Sequence, residues 1–246
     1  MGSFVKVPAD PSPELLRTAL ETLAQSSAHG EFTLIDQIRQ KVPFRHIAMT
    51  GLDVDGLKVG NNAYLVCDFP PDYMVEYYVG GYIDIDPLIA LFREGRDVCR
   101  DCDAFATEEA RKDGYKTLDL LRRHGIRERT IVPVRNGIRL VGTLSLVTDE
   151  PINERQSQLL TQIATTLHAV SARPALEVLN RELKLTRGEL YCLDKASEGL
   201  TSGDIAAEDV YSVDTVNTYL KTAARKLGAQ NRTQAVVKAM RRGLIG

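Results

Sequence analysis

Apolar residues recur at helical spacing from the start of the chain. Over residues 11–28, Leu15, Leu16, Ala19, Leu20 and Leu23 form the stripe of an amphipathic helix. Ser12 followed by Pro13 supplies its cap and first-turn proline. Residues 31–41 repeat the pattern through Phe32, Leu34, Ile35 and Ile38, and Pro43 ends it. The rhythm then changes. Residues 46–52 and 62–69 are short β-favouring runs around the turn-rich GLDVDGLKVGNN. PDYMVEYY at 71–78 and DPLIALFREG from Asp86 predict helices, the second with Pro87 at the favoured first position. A strand is expected over 97–102. A helix is expected over 107–124, with Glu108 and Glu109 in its first turn and Arg122, Arg123 and His124 in its last. Residues 129–135 and 140–148 read as a hairpin about Asn136-Gly137. Residues 152–170 read as a long helix with Leu159, Leu160, Ile163, Leu167 and Val170 on one side.

About five short strands joined by turns, with helices before, within and after them, predict an α+β unit: an α-β-α sandwich around an antiparallel sheet. Pro174 is expected to break the long helix. The boundaries are therefore set at 1–172 for a first domain, 173–184 for a linker and 185–246 for a second domain. That second domain is all-α, four short helices. Thr186 with Glu189 three residues on is a capping box, Thr201 and Asn231 cap two more helices, and Gly199, Gly228 and Gly243 stand where left-handed backbone ends a helix. The second and third helices make a helix-turn-helix. In the third, which starts at Ser212, Val213, Val216, Leu220 and Leu227 are assigned to the core. Asn217 and Lys221, four apart with Thr218 beside them, share the opposite face, where Asn can reach adenine and Lys guanine.

Charge strengthens that reading. The whole chain carries a formal −2, yet residues 213–246 hold seven basic side chains against Asp214 alone, the local field a polyanion partner requires. Nothing predicts membrane insertion or export. No apolar run approaches the roughly 20 residues of a spanning helix, the N-terminus lacks the basic flank and apolar core of a signal peptide, and Lys6 spoils a myristoylation signal. The cytoplasm is the expected compartment. Cys99 and Cys102 form a lone C-x-x-C, and with Cys67, Cys192 and four scattered histidines no metal-ligand spacing emerges. Free thiols are expected. A thiol redox enzyme is the competing class, but it lacks any nucleophile–base constellation.

The blocks LT..E, EGLT..IA, S..TV, KLGA.NRTQAV and the terminal GLI, in order from Leu185 to Ile245, resemble the LuxR-type regulators with their GerE-like DNA-binding domain. The departures are Arg187-Gly188 for the usual Pro-Arg and Tyr219 where His is common. The resemblance implies that Asn217 and Lys221 read bases while Thr215, Arg225, Lys226 and Arg232 meet phosphates. It also implies double-stranded DNA as partner, a homodimer or a heteromer with a related regulator, and RNA polymerase as a further contact.

FPPDYMVEYYVGGYIDIDP at 69–87 and HGIRERTIVPV at 124–134 resemble the autoinducer-binding domain of the quorum-sensing members, whose signal is an acyl-homoserine lactone. By that resemblance Asp86 accepts the ligand amide N–H, Tyr77 binds the acyl carbonyl, Tyr73 stands where the family Trp meets the lactone, and Ser145 completes the ligand-binding set. Two positions depart. Asp101 replaces an aromatic residue and Arg129 a glycine, and the chain has no tryptophan. Two charges beside an acyl chain would cost several kcal/mol unless paired. The expectation is an altered pocket, filled by an Asp101–Arg129 pair, in a member with another ligand or none. The alternatives are a true lactone receptor and a heteromeric interaction partner.

Overall fold

The computed structural model describes residues 5–6, 12–26, 32–52, 54, 63–208 and 210–246. The myristoylation position, most of the 51–62 turn and the outer ends of the first helix pattern lie outside these residues. The chain forms two compact units, Met1–Ala175 and Leu176–Gly246.

The first unit is built on a six-stranded sheet in the order β1 (Val5–Lys6), β3 (Ala63–Cys67), β2 (His46–Thr50), β6 (Arg139–Thr148), β5 (Glu128–Asn136), β4 (Cys99–Arg100). Every pairing is antiparallel, which makes this the α+β fold the patterning predicts. The edge strand β1 has no counterpart in the sequence reading. Strands β5 and β6 pair from Glu128↔Thr148 to Asn136↔Arg139, closed by a two-residue turn in which Gly137 has φ 60°. Helix α1 (Pro13–Ser26) buries Leu16, Leu20 and Leu23 in one cluster with Tyr64, Tyr73 and Tyr77. Helix α2 (Phe32–Lys41) follows, and α3 (Pro71–Val79) and α4 (Pro87–Arg93) carry the site. The 97–102 strand is shorter than expected: after Cys99–Arg100 the chain turns into α5 (Asp101–Ala104), which buries Asp101.

The predicted 107–124 helix is two, α6 (Glu108–Asp113) and α7 (Tyr115–Arg123), meeting at Gly114. A Cβ there would sit 2.5 Å from Phe105 Cε1 and 2.8 Å from Pro87 Cγ, so only glycine lets the chain pass. Pro174 does not end α8, which runs over Glu154–Glu182 with the proline inside. Proline forfeits one backbone bond and crowds the preceding turn, but buried Ser171, Ala172 and Ala175 flank it and hold that turn in place. Helix α8 is tied to the sheet where His168 Nε2 meets the Gly51 carbonyl at 3.0 Å. Gly142 on β6 provides the room, since a Cβ there would lie 2.3 Å from the same nitrogen.

The second unit holds α9 (Arg187–Ser197), α10 (Ser202–Ala206), α11 (Val213–Lys226) and α12 (Arg232–Arg241). Three start on the predicted caps: Thr186 with Glu189 as a full capping box, Thr201, with Asp204 forming another, and Asn231; the third is capped by Ser212, whose side chain accepts from Thr215 N–H. Its core is Cys192, Leu193, Ile205, Val216, Leu220, Ala223, Leu227, Ala235 and Ala239. Three residues assigned to buried stripes are exposed instead: Leu15, Val170 and Val213. Each lies at the margin of its stripe, where a shift of one position turns a side chain outward. No helix among the described residues is long and apolar enough to cross a membrane.

Candidate functional sites

In the first unit the ligand-binding residues implied by the sequence converge on one buried ionic cluster. Asp86 caps α4, its Oδ1 accepting from Leu88 N–H at 3.0 Å. Arg129, facing inward from β5, grips that same carboxylate with both terminal nitrogens, Nη1 to Oδ2 at 2.6 Å and Nη2 to Oδ1 at 2.9 Å. The Tyr77 hydroxyl donates to Asp86 Oδ2 at 2.6 Å. Two donors on each oxygen fill the carboxylate's acceptor sites. On its other side Arg129 binds Asp101 through Nε and Nη2, both at 2.9 Å, while its backbone N–H donates to Asp101 Oδ2 at 2.8 Å. The fifth guanidinium proton goes from Nη1 to the Tyr73 hydroxyl at 3.3 Å. Every guanidinium donor is thus used.

The pairing anticipated between Asp101 and Arg129 is present, and it extends to Asp86. The cluster is buried: the side chains of Asp86, Asp101 and Arg129 are 0%, 5% and 6% exposed. Burial opposes the Arg129 charge, but Asp101, Tyr73 and Asp86 together hold its pKa well above the ordinary value. Burial raises the Asp101 carboxyl, and Arg129 restrains the rise. Burial likewise pushes Tyr73 up to about 12 and Tyr77 well above its usual range, so both hydroxyls stay protonated.

The charge pair does not fill the pocket, contrary to expectation. A cavity of about 250 Å³ remains beside it, walled by Tyr64, Tyr73, Met74, Tyr77, Ile83, Leu88, Ile89, Phe92 and Ile131, with Arg129 at its polar end. Ser145 lines it from β6, beside a Thr50–Thr143 hydroxyl pair 2.6 Å apart. That threonine pair escaped the sequence reading. Its signal was the two-residue alternation on β6, which sends Thr143 and Ser145 to the same side of the sheet.

Cys99 is buried and Cys102 half-buried, both free. Burial pushes each thiol to about 11, so neither offers a thiolate at neutral pH.

In the second unit Asn217, Thr218, Lys221 and Arg225 are exposed on α11, with Asn217, Lys221 and Arg225 at successive four-residue steps along one face. Thr215 pairs with the cap, its hydroxyl 2.9 Å from Ser212 Oγ, and Thr218 Oγ1 donates to Asp214 O at 2.8 Å. Two implied phosphate contacts are engaged inside the domain instead. Lys226 Nζ lies 2.7 Å from Glu189 Oε2 and donates to the Lys184 carbonyl at 2.7 Å. Glu189 is nearly fully buried, so the ammonium is its counter-ion. Arg232 Nη2 donates to the Leu200 carbonyl, tying the start of α12 to the turn before α10. One further contact joins the helix-turn-helix: Ser202 Oγ donates to Asn217 Oδ1 at 2.7 Å.

A family signature described as "Autoinducer binding domain" matches residues 27–172, and one described as "Bacterial regulatory proteins, luxR family" matches residues 183–239. The chain belongs to the LuxR family of bacterial regulators. It is 30% identical over 189 residues to the transcriptional activator protein AhyR of Aeromonas hydrophila, covering 71% of each chain. To y4qH of Sinorhizobium fredii it is 26% identical over 183 residues, 73% of this chain but only 56% of that relative's length. The crystal structure of Escherichia coli SdiA shares the fold, with a TM-score of 0.52 at 19% identity over 94% of this chain and 98% of the other. As a LuxR-family member the chain is a DNA-binding transcriptional regulator with an autoinducer-binding domain, and not an enzyme. The two departures noted in its reader domain touch one another. A Cβ on Gly188 would lie 2.8 Å from Tyr219 Cε2, so the small residue makes room for the larger ring.

Proposed function

We propose a LuxR-family regulator whose sensory domain, residues 1–172, takes a small, uncharged and largely apolar molecule rather than an acyl-homoserine lactone. The linker is 173–184 and the DNA reader 185–246. The observation that carries the ligand reading is the saturated Asp86 carboxylate. A lactone amide N–H would need one of its four acceptor sites, and all four hold donors of the chain itself. Displacing Arg129 would leave a buried charge unpaired, which costs more than one ligand hydrogen bond returns. What remains for a ligand is the apolar wall of the cavity with the hydroxyls of Tyr73 and Ser145.

On the DNA side, Asn217 and Lys221 read base edges with Thr218 beside them, while Arg225 and Thr215 contact the backbone. The regulator works as a twofold pair on half-sites about one helical turn apart. Val237 and Met240, three apart and exposed on α12, support such pairing. The retained cavity and the convergence of Tyr73, Tyr77 and Asp86 keep a lactone receptor as the second reading. Isothermal titration of the full chain with lactones of graded acyl length decides between them. No saturable heat is expected; saturable binding with a rise in Tm would overturn the altered-pocket reading.

A further inference from the structure

The Ser202–Asn217 bond crosses the helix-turn-helix. Asn217 stands exposed on α11, and Ser202 is the first residue of α10. The backbone that carries Ser202 is held on both sides of the bond. Thr201 Oγ1 accepts from Asp204 N–H at 3.2 Å, and Asp204 Oδ2 accepts from Thr201 N–H at 2.8 Å. Ile205, one turn on, is fully buried in the domain core. The donor is therefore fixed while its acceptor sits on an exposed side chain that would otherwise rotate freely.

We infer that Ser202 is a specificity-determining positioning residue, whose hydroxyl holds the Asn217 carboxamide in the plane needed to read one base pair. This rests on the proposed base-reading role of Asn217. A bidentate Asn–adenine contact uses Oδ1 as acceptor and Nδ2 as donor in one plane. Ser202 takes one of the two Oδ1 lone pairs, leaving the other lone pair and both Nδ2 protons for the base. The ordering entropy of the side chain is thereby lost in the free protein rather than on binding. Because Thr201 rather than Ser202 caps α10, removing the Ser202 hydroxyl leaves the helix start intact.

The test uses purified full chain and a random-sequence duplex library, with enriched sequences counted for the wild type, Asn217→Ala, Ser202→Ala, Ser202→Thr and the Ser202→Ala/Asn217→Ala double variant. Asn217→Ala is expected to flatten the preference at one position of each half-site. Ser202→Ala should reduce discrimination at that same position by about 3- to 10-fold, the range of one net hydrogen bond. Ser202→Thr should retain it, and the double variant should fall no further than Asn217→Ala. Tm, salt slope and affinity for an unselected duplex should not move, which separates positioning from a merely structural link between α10 and α11. A wild-type preference in Ser202→Ala, or a loss spread evenly over all positions, would overturn the inference while leaving Asn217 as a reader. If Asn217→Ala itself keeps the wild-type preference, or the wild type enriches nothing, the base-reading assignment fails and the inference with it.

Discussion

The Arg129 guanidinium holds both oxygens of the Asp86 carboxylate, at 2.6 and 2.9 Å, inside the sensory domain. It bridges Asp86 to Asp101, so a single cation is shared between two buried carboxylates. Replacing it by a side chain of similar volume, Arg129→Met, removes the cation that both carboxylates share and leaves Asp86 only the neutral donors Tyr77 Oη–H and Leu88 N–H. A loss of about 3–5 kcal/mol at pH 7.5 is expected, the range for breaking one side of a buried pair. Without Arg129 the folded-state pKa of Asp101 rises further above its unfolded value. The variant therefore takes up protons on folding, and its deficit should shrink as pH falls toward 5. Urea unfolding of both proteins at the two pH values measures this.

Lys226 and Arg225 are adjacent cations with different partners. Lys226 neutralises buried Glu189, whereas Arg225 is exposed on α11. Lys226→Met should lower stability by about 1.5–3 kcal/mol, the worth of a charge-assisted hydrogen bond. The salt dependence of DNA binding should stay unchanged. Arg225→Ala should do the reverse: stability holds, and the slope of log affinity against log salt drops by about 1. Denaturation and binding titrations over a salt series check both.

Gly188 and Tyr219 depart from the family pattern together. Gly188→Ala would drive a methyl group to 2.8–2.9 Å from the Tyr219 ring, with Tyr211 Oη 3.3 Å away. Overpacking of this kind costs about 1–3 kcal/mol. The smaller ring of Tyr219→His should recover part of that loss in the double variant, and a thermal double-mutant cycle reads the coupling.

His168 brings a pH dependence to the sensory domain. Burial lowers its pKa below 6.5, against bonds to the Gly51 and Thr50 carbonyls that raise it. The unfolded chain thus binds the proton more tightly, and stability should fall as pH drops from about 6.5 through the folded-state value. Burial raises the Asp101 and Glu128 carboxyls, which act in the opposite direction. The difference in Tm between wild type and His168→Gln from pH 7.5 to 5.5 isolates the histidine; it should narrow as the wild type loses its advantage.

Local chemistry carried most of what could be read in advance. The caps Thr186, Thr201 and Asn231, the terminating glycines and the Asn217–Lys221 face of α11 follow from residues within one or two turns of each other, so spacing alone reveals them. The antiparallel sheet was legible because alternation and turn residues act over similarly short range. What failed depended on packing. Pro174 reads as a helix breaker, yet buried neighbours carry α8 through it. The 107–124 pattern reads as one helix, yet it is two that meet at Gly114, where Phe105 and Pro87 leave no room for a side chain.

Sequence by itself determined the family, the two-part organisation, and the presence of Asp101 and Arg129 where an aromatic residue and a glycine are usual. Tertiary structure alone decided what those two residues do. A charge's partner is chosen by three-dimensional proximity, and Arg129 lies 43 positions from Asp86 and 28 from Asp101 along the chain. The same holds for Lys226 and Glu189, which are 37 positions apart. A basic residue in a DNA-reading helix looks like a phosphate contact until folding brings a buried carboxylate to it.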